Sequence, residues 1–479
     1  MNKGHYLPTI GVETHVQLKT KTKLFSAVDN DARTAPPNNL ISHIDVGLPG
    51  ALPVLNQKAI ELCVRAALAL GAKVQAFSKF ERKHYFYPDL PKGYQITQYE
   101  DPIIKGGSVE ITVGGKKMTV GIERANLEED AGKNTHPPGA DYSLVDLNRA
   151  GTPLLEIVSM PDIHSPAEAK ACARELWLMM KYSGVTDGDL YHGHMRFDVN
   201  ISVAKAGQNL GTRSEVKNLN SFRSVEGAVA YEIKRQTELL EKGGAVIQET
   251  RGWDEAKQKT TSQRGKEEAH DYRYMPEPDI PPVELTGDQI KKLSADMPEL
   301  PSAIRSQLAG LKIDPKVIED ILDRPSIIKP ILAVLKAGGP ADARRAAFWL
   351  IKAQPAEEEM AGEIEPEMDT DRLIALSKMV DEGSLSSTAA KKVFDEMLSS
   401  TAEPREIAEK LNLLQVSDEA HIEKIVKEVI DENPKVVAEI KAGQAKAIGF
   451  LIGQVMAKSK GQANPQLATK LIKKHLEYT

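Results

Sequence analysis

The clearest pattern in the chain is a strict alternation that begins at Met195. Met195, Phe197, Val199, Ile201 and Val203 are apolar, and Arg196, Asp198, Asn200 and Ser202 between them are polar. A period of two predicts a half-buried strand, with one face packed and the other presenting Arg, Asp, Asn and Ser together. After a Gly-containing connection, the next segment lines up Arg213, Glu215 and Lys217 on one face. Ile10 to Leu18 alternates in the same way, with Ile10, Val12, Val16 and Leu18 on one side and Glu13, His15 and Gln17 on the other. Glu13 and His15 therefore stand ~7 Å apart along a strand. Val109 to Arg124 reads as a hairpin turning at Gly114-Gly115, and Leu154 to Val158 as an apolar strand.

Helical spacing predicts a helix over residues 57–70. A second has Ser165 as its N-cap, Pro166 in first position and Glu168 closing a capping box, and runs to about Ser183. A third runs from just after Asn220 to Lys242, where Gly243-Gly244 stops it. Residues 250–282 are polar and rich in Arg, Lys and Pro, and read as an ordered loop or arm ending at the boundary MPEPDIPP. Beyond about residue 290 the strand patterns cease and Ala, Leu, Lys and Glu recur at helical spacing. The acidic stretch 354–371 reads as a loop, two helices meet at Gly383, Pro404 marks a junction, and three or four short helices close the tail. The expected fold is α+β. A strand-rich domain spans 1–292, an all-helical domain 293–407 and a small helical tail 408–479.

A length of 479 residues is too great for one core. A composition of 41% hydrophobic and 27% charged residues excludes a disordered chain. No run of about 18 apolar residues is present, and the start reads directly into a strand, so neither a membrane span nor a secretory signal is expected. Cys63 and Cys172 are the only cysteines, which excludes a four-cysteine zinc site and suits a reducing cytoplasm. The net charge of −6 hides an asymmetry. Eight acids and no base lie between Glu357 and Asp371, whereas the segment from Lys441 to the end carries seven lysines, Lys458 and Lys460 among them, and one acid. That lysine cluster is either a phosphate-tracking surface or a solvated helix face.

Residues 79–103 interleave Lys79, Arg82, Lys83 and Lys92 with Phe80, Tyr85, Phe86, Tyr87, Tyr94 and Tyr99, so that four of the twelve tyrosines fall here. Cations for phosphates and rings for splayed bases suit a single-stranded nucleic-acid end or a nucleotide; a loop stabilised by its own rings is the other reading. Glu128, Glu129 and Asp130 are consecutive and repel one another unless a cation or bases neutralise them, or they form an exposed acidic turn. Phosphate-loop, dinucleotide, HExxH and GxSxG patterns are absent. His192 and His194 offer two zinc donors, but no cysteine lies near. What remains is a polar-faced strand constellation. Glu13, His15, Glu128, Glu129, Asp198 and Asn200 supply oxygen and nitrogen ligands, and Arg196, Arg213, Lys217 and Lys83 supply cations. Mainly hard ligands predict Mg²⁺, and magnesium with cations but without a covalent nucleophile suits phosphoryl transfer.

Eight segments in order, IGVETHVQL, KFERKHYFYPDLPKGYQI, NLEEDAGKNTH, DLNRAGTPLLEIVS, DVNIS, EVKNLNSFRSVEGA, DYRYMPEPDIPP and GFLIGQVM with KGQANP, resemble the B subunits of bacterial tRNA-dependent amidotransferases over essentially the whole chain. The resemblance implies an antiparallel-sheet cradle, a helical domain and a helical tail that contacts tRNA. It implies ATP and Mg²⁺ as cofactors, with phosphorylation of the Glu or Asp side chain on misacylated Glu-tRNA(Gln) or Asp-tRNA(Asn). Ammonia then arrives from an amidase A subunit, and a small C subunit straps the two together. By matching position, Glu13, His15, Glu129 and Asp198, with Glu128, become metal ligands. Lys83, Arg196, Asn200, Arg213 and Lys217 serve phosphates, with Lys83, Arg196, Asn200 and Lys217 at the reacting groups. Tyr85, Tyr87, Lys92, Tyr94, Lys458 and Lys460 would meet the tRNA. One segment departs from the family: where relatives carry a stretch like MEEGSLRCDANIS, this chain has YHGHMRFDVNIS. A non-catalytic tRNA-binding adaptor is the alternative reading.

Overall fold

The computed structural model describes residues 6–265, 272–353, 369–415, 419–441, 447–459 and 463–476. The chain divides into two compact units, Met1–Ile304 and Arg305–Thr479.

The first unit opens with strand β1 (Tyr6–Gln17), helix α1 (Gln57–Ala69) and the short strands β2 (Lys73–Val74), β3 (Phe77–Ser78), β4 (Glu81–His84), β5 (Tyr94–Thr97) and β6 (Ile104–Lys105). The hairpin β7 (Ser108–Val113) and β8 (Lys116–Glu129) follows. Its turn residues Gly114 and Gly115 have φ of 57° and 78°, the left-handed pair that matches strand twist. Next come β9 (Lys133–Thr135), β10 (Leu144–Asp146), β11 (Pro153–Ser159), α2 (Pro166–Tyr182), β12 (Met195–Lys205), β13 (Ser214–Leu219) and α3 (Phe222–Glu241). The unit continues through β14 (Glu249–Asp254), β15 (Lys259–Gly265), β16 (Met275–Pro276), β17 (Val283–Glu284) and α4 (Gly287–Ala295).

Ten strands share one sheet in the order β15-β14-β13-β12-β1-β11-β8-β6-β2, with β7 paired to β8. Neighbours are antiparallel, except that β13 and β14 run parallel. The strand of the opening alternation thus pairs with the N-terminal strand. Their apolar sides, including Val12, Val16, Phe197, Val199 and Ile201, are buried, and α2 and α3 pack against this part of the sheet. Each such side chain contributes roughly 1.5–3 kcal/mol by leaving water.

Ser165 caps α2 by accepting from Glu168 N at 3.3 Å, but the Glu168 carboxylate takes the His164 N–H at 2.7 Å and not the N-cap's own. The interleaved aromatic segment is not one loop: it forms the β4–β5 ladder, and β16 adds to β4. Likewise the segment read as an arm supplies β14 and β15 to the large sheet. Both were hidden because their residues are polar on both sides or broken by prolines.

Helix α5 (Pro301–Ala309) leads into the second unit, where no strand occurs among the described residues. The helices are α6 (Pro315–Leu322), α7 (Pro325–Gly338), α8 (Pro340–Ala353), α9 (Thr370–Asp381), α10 (Ser387–Met397), α11 (Pro404–Lys410), α12 (Glu419–Glu432), α13 (Pro434–Lys441), α14 (Ile448–Lys458) and α15 (Pro465–Leu476). Most of the expected acidic loop at 354–371 lies outside the described residues. Ile422, Val426, Val429, Ile440, Leu451, Val455, Leu471 and Ile472 form a continuous core from α12 to α15.

Phe197 is fully buried and meets the Phe222 ring at 5.9 Å. Phe197→Ala is expected to destabilise the first unit by about 3–5 kcal/mol, measured as a lowered urea midpoint. An unchanged midpoint would remove Phe197 from the core.

Candidate functional site

Antiparallel register builds the site. Across β1 and β12, His15 faces Arg196, Glu13 faces Asp198 and Gly11 faces Asn200. On the other edge of β1, His15 faces Glu156 of β11, and there Glu156 faces Asn126 and Leu154 faces Glu128 on β8. Asn200 faces Glu215 of β13. Directly opposed side chains share a face, so four strands beyond β1 deliver their polar groups to one surface.

Two groups of potential ligand atoms result, His15 with Glu128 and Glu156, and Glu13 with Asp198 and Glu215. In each, the atoms lie within 4.8 Å of one another. Glu13 and His15 are neighbours on one face of β1, so the groups adjoin. Supporting bonds hold the carboxylates. Asn200 Nδ2 donates to Glu13 at 2.7 Å, Asn218 N to Asp198 at 2.8 Å and Thr250 Oγ1 to Glu215 at 2.9 Å. Thr97 Oγ1 donates to Glu128 at 2.9 Å and Asn126 Nδ2 to Glu156 at 3.0 Å. Lys217 Nζ lies 3.2 Å from Glu215 and 3.8 Å from Asp198.

The electrostatics show a surplus of acid. Burial, then the carboxylates of Glu156, Asp198 and Glu215, raises Glu13 above the usual range. Burial and the neighbouring Glu156 push Glu128 up to about 7. Glu156 goes the other way: burial alone would raise it, but its bond to His15 holds it down at about 2. Burial alone would lower His15, yet Glu156 at 3.6 Å and Asp198 raise it to about 9. Lys217 is raised by Asp198 and Glu215 against the opposing effect of burial. Five carboxylates and one imidazole, hydrogen-bonded but short of cations, are a donor set that fits hard divalent ions.

Of the expected ligands, Glu13, His15, Glu128 and Asp198 meet on this face. Glu129 does not join them. Adjacent strand residues point to opposite faces, and the buried Glu129 carboxylate accepts from Lys92 Nζ at 2.5 Å and Ile96 N at 2.9 Å. Lys92 is thereby engaged inside the protein. Glu156 and Glu215 complete the two groups and were not expected as ligands. Glu156 carried a signal, as the one charge in the apolar run Pro153 to Val158, and Glu215 stands between the expected cations.

Among the expected phosphate-binding groups, Asn200 and Lys217 lie on the face, and Arg213 precedes β13 as an exposed residue. Lys83 lies over the Tyr272 ring at 4.8 Å and is raised by Glu128, Tyr274 and Glu156 against burial. Arg196 donates to Asp130 at 3.0 Å, where Arg149 also approaches to 3.4 Å. Tyr85 packs edge-on against Tyr87 and Tyr272, and Tyr94 lies beneath the Arg82 guanidinium at 4.3 Å. Lys458, in the second unit, pairs with Glu432 and Glu428; Lys460 lies outside the described residues. His192 and His194 join neither ligand group: His192 Nδ1 bonds Asp189 at 2.6 Å.

Beside this face, a cleft of about 1110 Å³ is lined by Gln17 and Arg196 at the sheet end and by Lys21, Arg33, Lys133 and His194 on other walls.

The first unit thus carries a sheet face with two groups of potential metal ligands, and the second unit is helical among the described residues. Residues 8–291 match the family model for the GatB/GatE catalytic domain, and residues 332–476 match that for the GatB domain. The chain is 43% identical over 492 residues to the B subunit of the aspartyl/glutamyl-tRNA(Asn/Gln) amidotransferase of Trichodesmium erythraeum, covering 99% of this chain and 98% of that one. Its counterparts in Carboxydothermus hydrogenoformans (42%; 98% and 99% covered) and Geobacillus kaustophilus (44%; 97% of each) are similarly related. This chain belongs to the family of amidotransferase B subunits.

With its pKa above the ordinary 6.5, protonated His15 stabilises the metal-free fold fully below about pH 6.5. That contribution is lost as pH rises through about 9. NMR of the ring should find the midpoint near 9, and Glu156→Gln should lower it by about one pH unit or more. An unmoved midpoint in the variant would rule Glu156 out as the cause.

Proposed function

We propose that this chain uses ATP to activate the side-chain carboxylate of glutamate or aspartate carried on misacylated Glu-tRNA(Gln) or Asp-tRNA(Asn). The observation that carries the reading is the pair of adjoining carboxylate groups on the sheet face, next to a cleft large enough for an acceptor end. The carboxylate oxygen attacks the terminal phosphorus of ATP, ADP departs, and ammonia displaces phosphate from the acyl phosphate to leave the amide. The family membership and the relatives' names support the amide-forming outcome.

His15, Glu128 and Glu156 on one side, and Glu13, Asp198 and Glu215 on the other, would hold Mg²⁺, which supplies charge neutralisation for the phosphates. The remaining roles belong to the chain itself. Lys217, Lys83, Arg196 and Arg213 balance phosphate charge, Asn200 fixes Glu13, and Asp130 orients Arg196. Ammonia is supplied by an amidase A subunit with a small C subunit completing the assembly, a reading supported by the relatives' naming as B subunits. No described helix is long and apolar enough to cross a membrane, and we assign the protein to the cytoplasm. The helical part is read as two modules meeting near residues 407–408, the separate core of α12 to α15 supporting that division. The tail module, with its lysines, is assigned to the tRNA body.

Reconstitution with A and C partners, glutamine, ATP, Mg²⁺ and either misacylated tRNA tests the reading, by following amidated product and ADP. Product should require every component. ADP and product absent with both tRNAs, from an assembled complex, would leave only the adaptor role. Asp198→Ala is expected to reduce activation at least about a hundredfold while tRNA still binds. Full activity in that variant would refute the site assignment. Deleting residues 408–479 should weaken tRNA binding more than it slows ATP turnover, and undiminished affinity would take the tail out of tRNA recognition.

A further inference from the structure

The turn that leads from α2 into β12 forms part of the cleft wall. Tyr191, His192, Gly193 and His194 all line it. Tyr191 is 85% exposed, an unusual state for a ring that gains by burial. It is not exposed through looseness. His192 N and Nδ1 both bond the Asp189 carboxylate, at 3.0 and 2.6 Å. His194 N bonds Asp189 O at 2.9 Å and Gly193 N bonds Leu190 O at 3.2 Å. Gly193 takes the left-handed φ of 72° that lets the turn close, and Leu190 beneath it is buried. The turn is locked from below, so the Tyr191 ring is held outward.

Behind that ring stands His192, edge-on at 5.0 Å between centroids, and His194 follows 6.3 Å further on. His194 extends the polar row of β12, because its carbonyl accepts from Gln17 N at 2.8 Å just beyond the register of His15 with Arg196. A line of rings therefore runs from the exposed Tyr191 to the end of β12 next to Arg196. Elsewhere in the cleft lining, Lys21 and Lys133 find no carboxylate partner among the described residues, whereas Lys19 pairs with Asp187.

We propose that Tyr191, backed by His192, is a stacking platform for an unpaired nucleobase of a single-stranded RNA end entering the cleft, with Lys21 and Lys133 meeting its phosphates. Every base has a flat face for such a ring, and cations without carboxylate partners lining the same cleft as an outward aromatic suit a strand with exposed phosphates better than a protein surface. The proposal rests on the function proposed above, which makes this RNA the acceptor end of an aminoacyl-tRNA.

The test uses the assembled amidotransferase. Its substrates are misacylated tRNAs, intact or lacking the base at one terminal unpaired nucleotide at a time. Tyr191→Ala is expected to raise KM for intact tRNA about tenfold, within the roughly 5- to 150-fold that loss of one stacked base costs, with kcat little changed. Tyr191→Phe should behave as the wild type. At one nucleotide, removing the base should cost the wild type about as much, and the Tyr191→Ala enzyme almost nothing further. The proposal fails if KM is unmoved, or if the two losses multiply at every nucleotide. It also fails if Tyr191→Ala loosens subunit assembly while KM for tRNA holds, which would mark a protein contact. A wild-type complex that amidates neither tRNA would sink the function itself, an outcome distinct from a normal wild type with an indifferent Tyr191.

Discussion

The site depends on the register of one strand. β1 lies between β12 and β11, and a slip of a single residue on either side would turn Glu13 and His15 into the core and Val12 and Val16 into water. In the register that exists, two carboxylates, Glu13 and Asp198, stand directly opposite each other. Such a pairing opposes strand association. It persists because the reverse side of the same strands is a dry layer of Val, Ile and Phe backed by α2 and α3. Core packing thus holds the acids in a placement that their own charges resist, and Asn200, Asn218 and Lys217 offset part of the repulsion.

The same alternation divides three consecutive acids among three tasks. Glu128 faces His15 and Glu156 on the polar side. Glu129 turns away to a buried pair with Lys92 and fastens β5 through Ile96. Asp130, at the strand's end, gathers Arg196, Arg149 and Gln17 around one carboxylate, which keeps it below the ordinary range although burial works the other way. A buried pair such as Lys92 with Glu129 adds little net stability, but losing one partner would strand a charge, so it fixes where the chain can lie.

Local periodicity was enough to read β12 and α1 to α3 to within a residue or two, because each has a one-sided apolar pattern or a clear cap; β1 and the Gly114-Gly115 hairpin were found too, but β1 starts at Tyr6 rather than Ile10 and β8 runs on to Glu129 rather than Arg124. It failed for β4, β5, β14 and β15, whose aromatic, basic or two-sided polar sequences carry no such stripe. Four of the six residues in the two candidate groups were legible. Glu13, His15 and Asp198 stood out on alternating strands, and Glu128 in its acidic run. Their third partners, Glu156 and Glu215, could not be grouped with them, since nothing local says that residues 15 and 156, or 13 and 215, become neighbours. Glu129 misled for the opposite reason: adjacency in sequence grouped it with Glu128, and the strand separates them.

The pairing of β1 with β12 spans about two-thirds of the first unit's sequence, and this bears on how the protein is made. Residues 6–17 leave the ribosome well before residues 195–205 exist. At roughly 5–20 residues per second the wait is on the order of ten to forty seconds. Through that interval β1 can take β11 on one edge only, and neither ligand group is whole until β11 or β13 has followed. The nascent chain can therefore bring His15, Glu128 and Glu156 together as soon as β11 is made, whereas Glu13, Asp198 and Glu215 can meet only after β12 and β13 have followed.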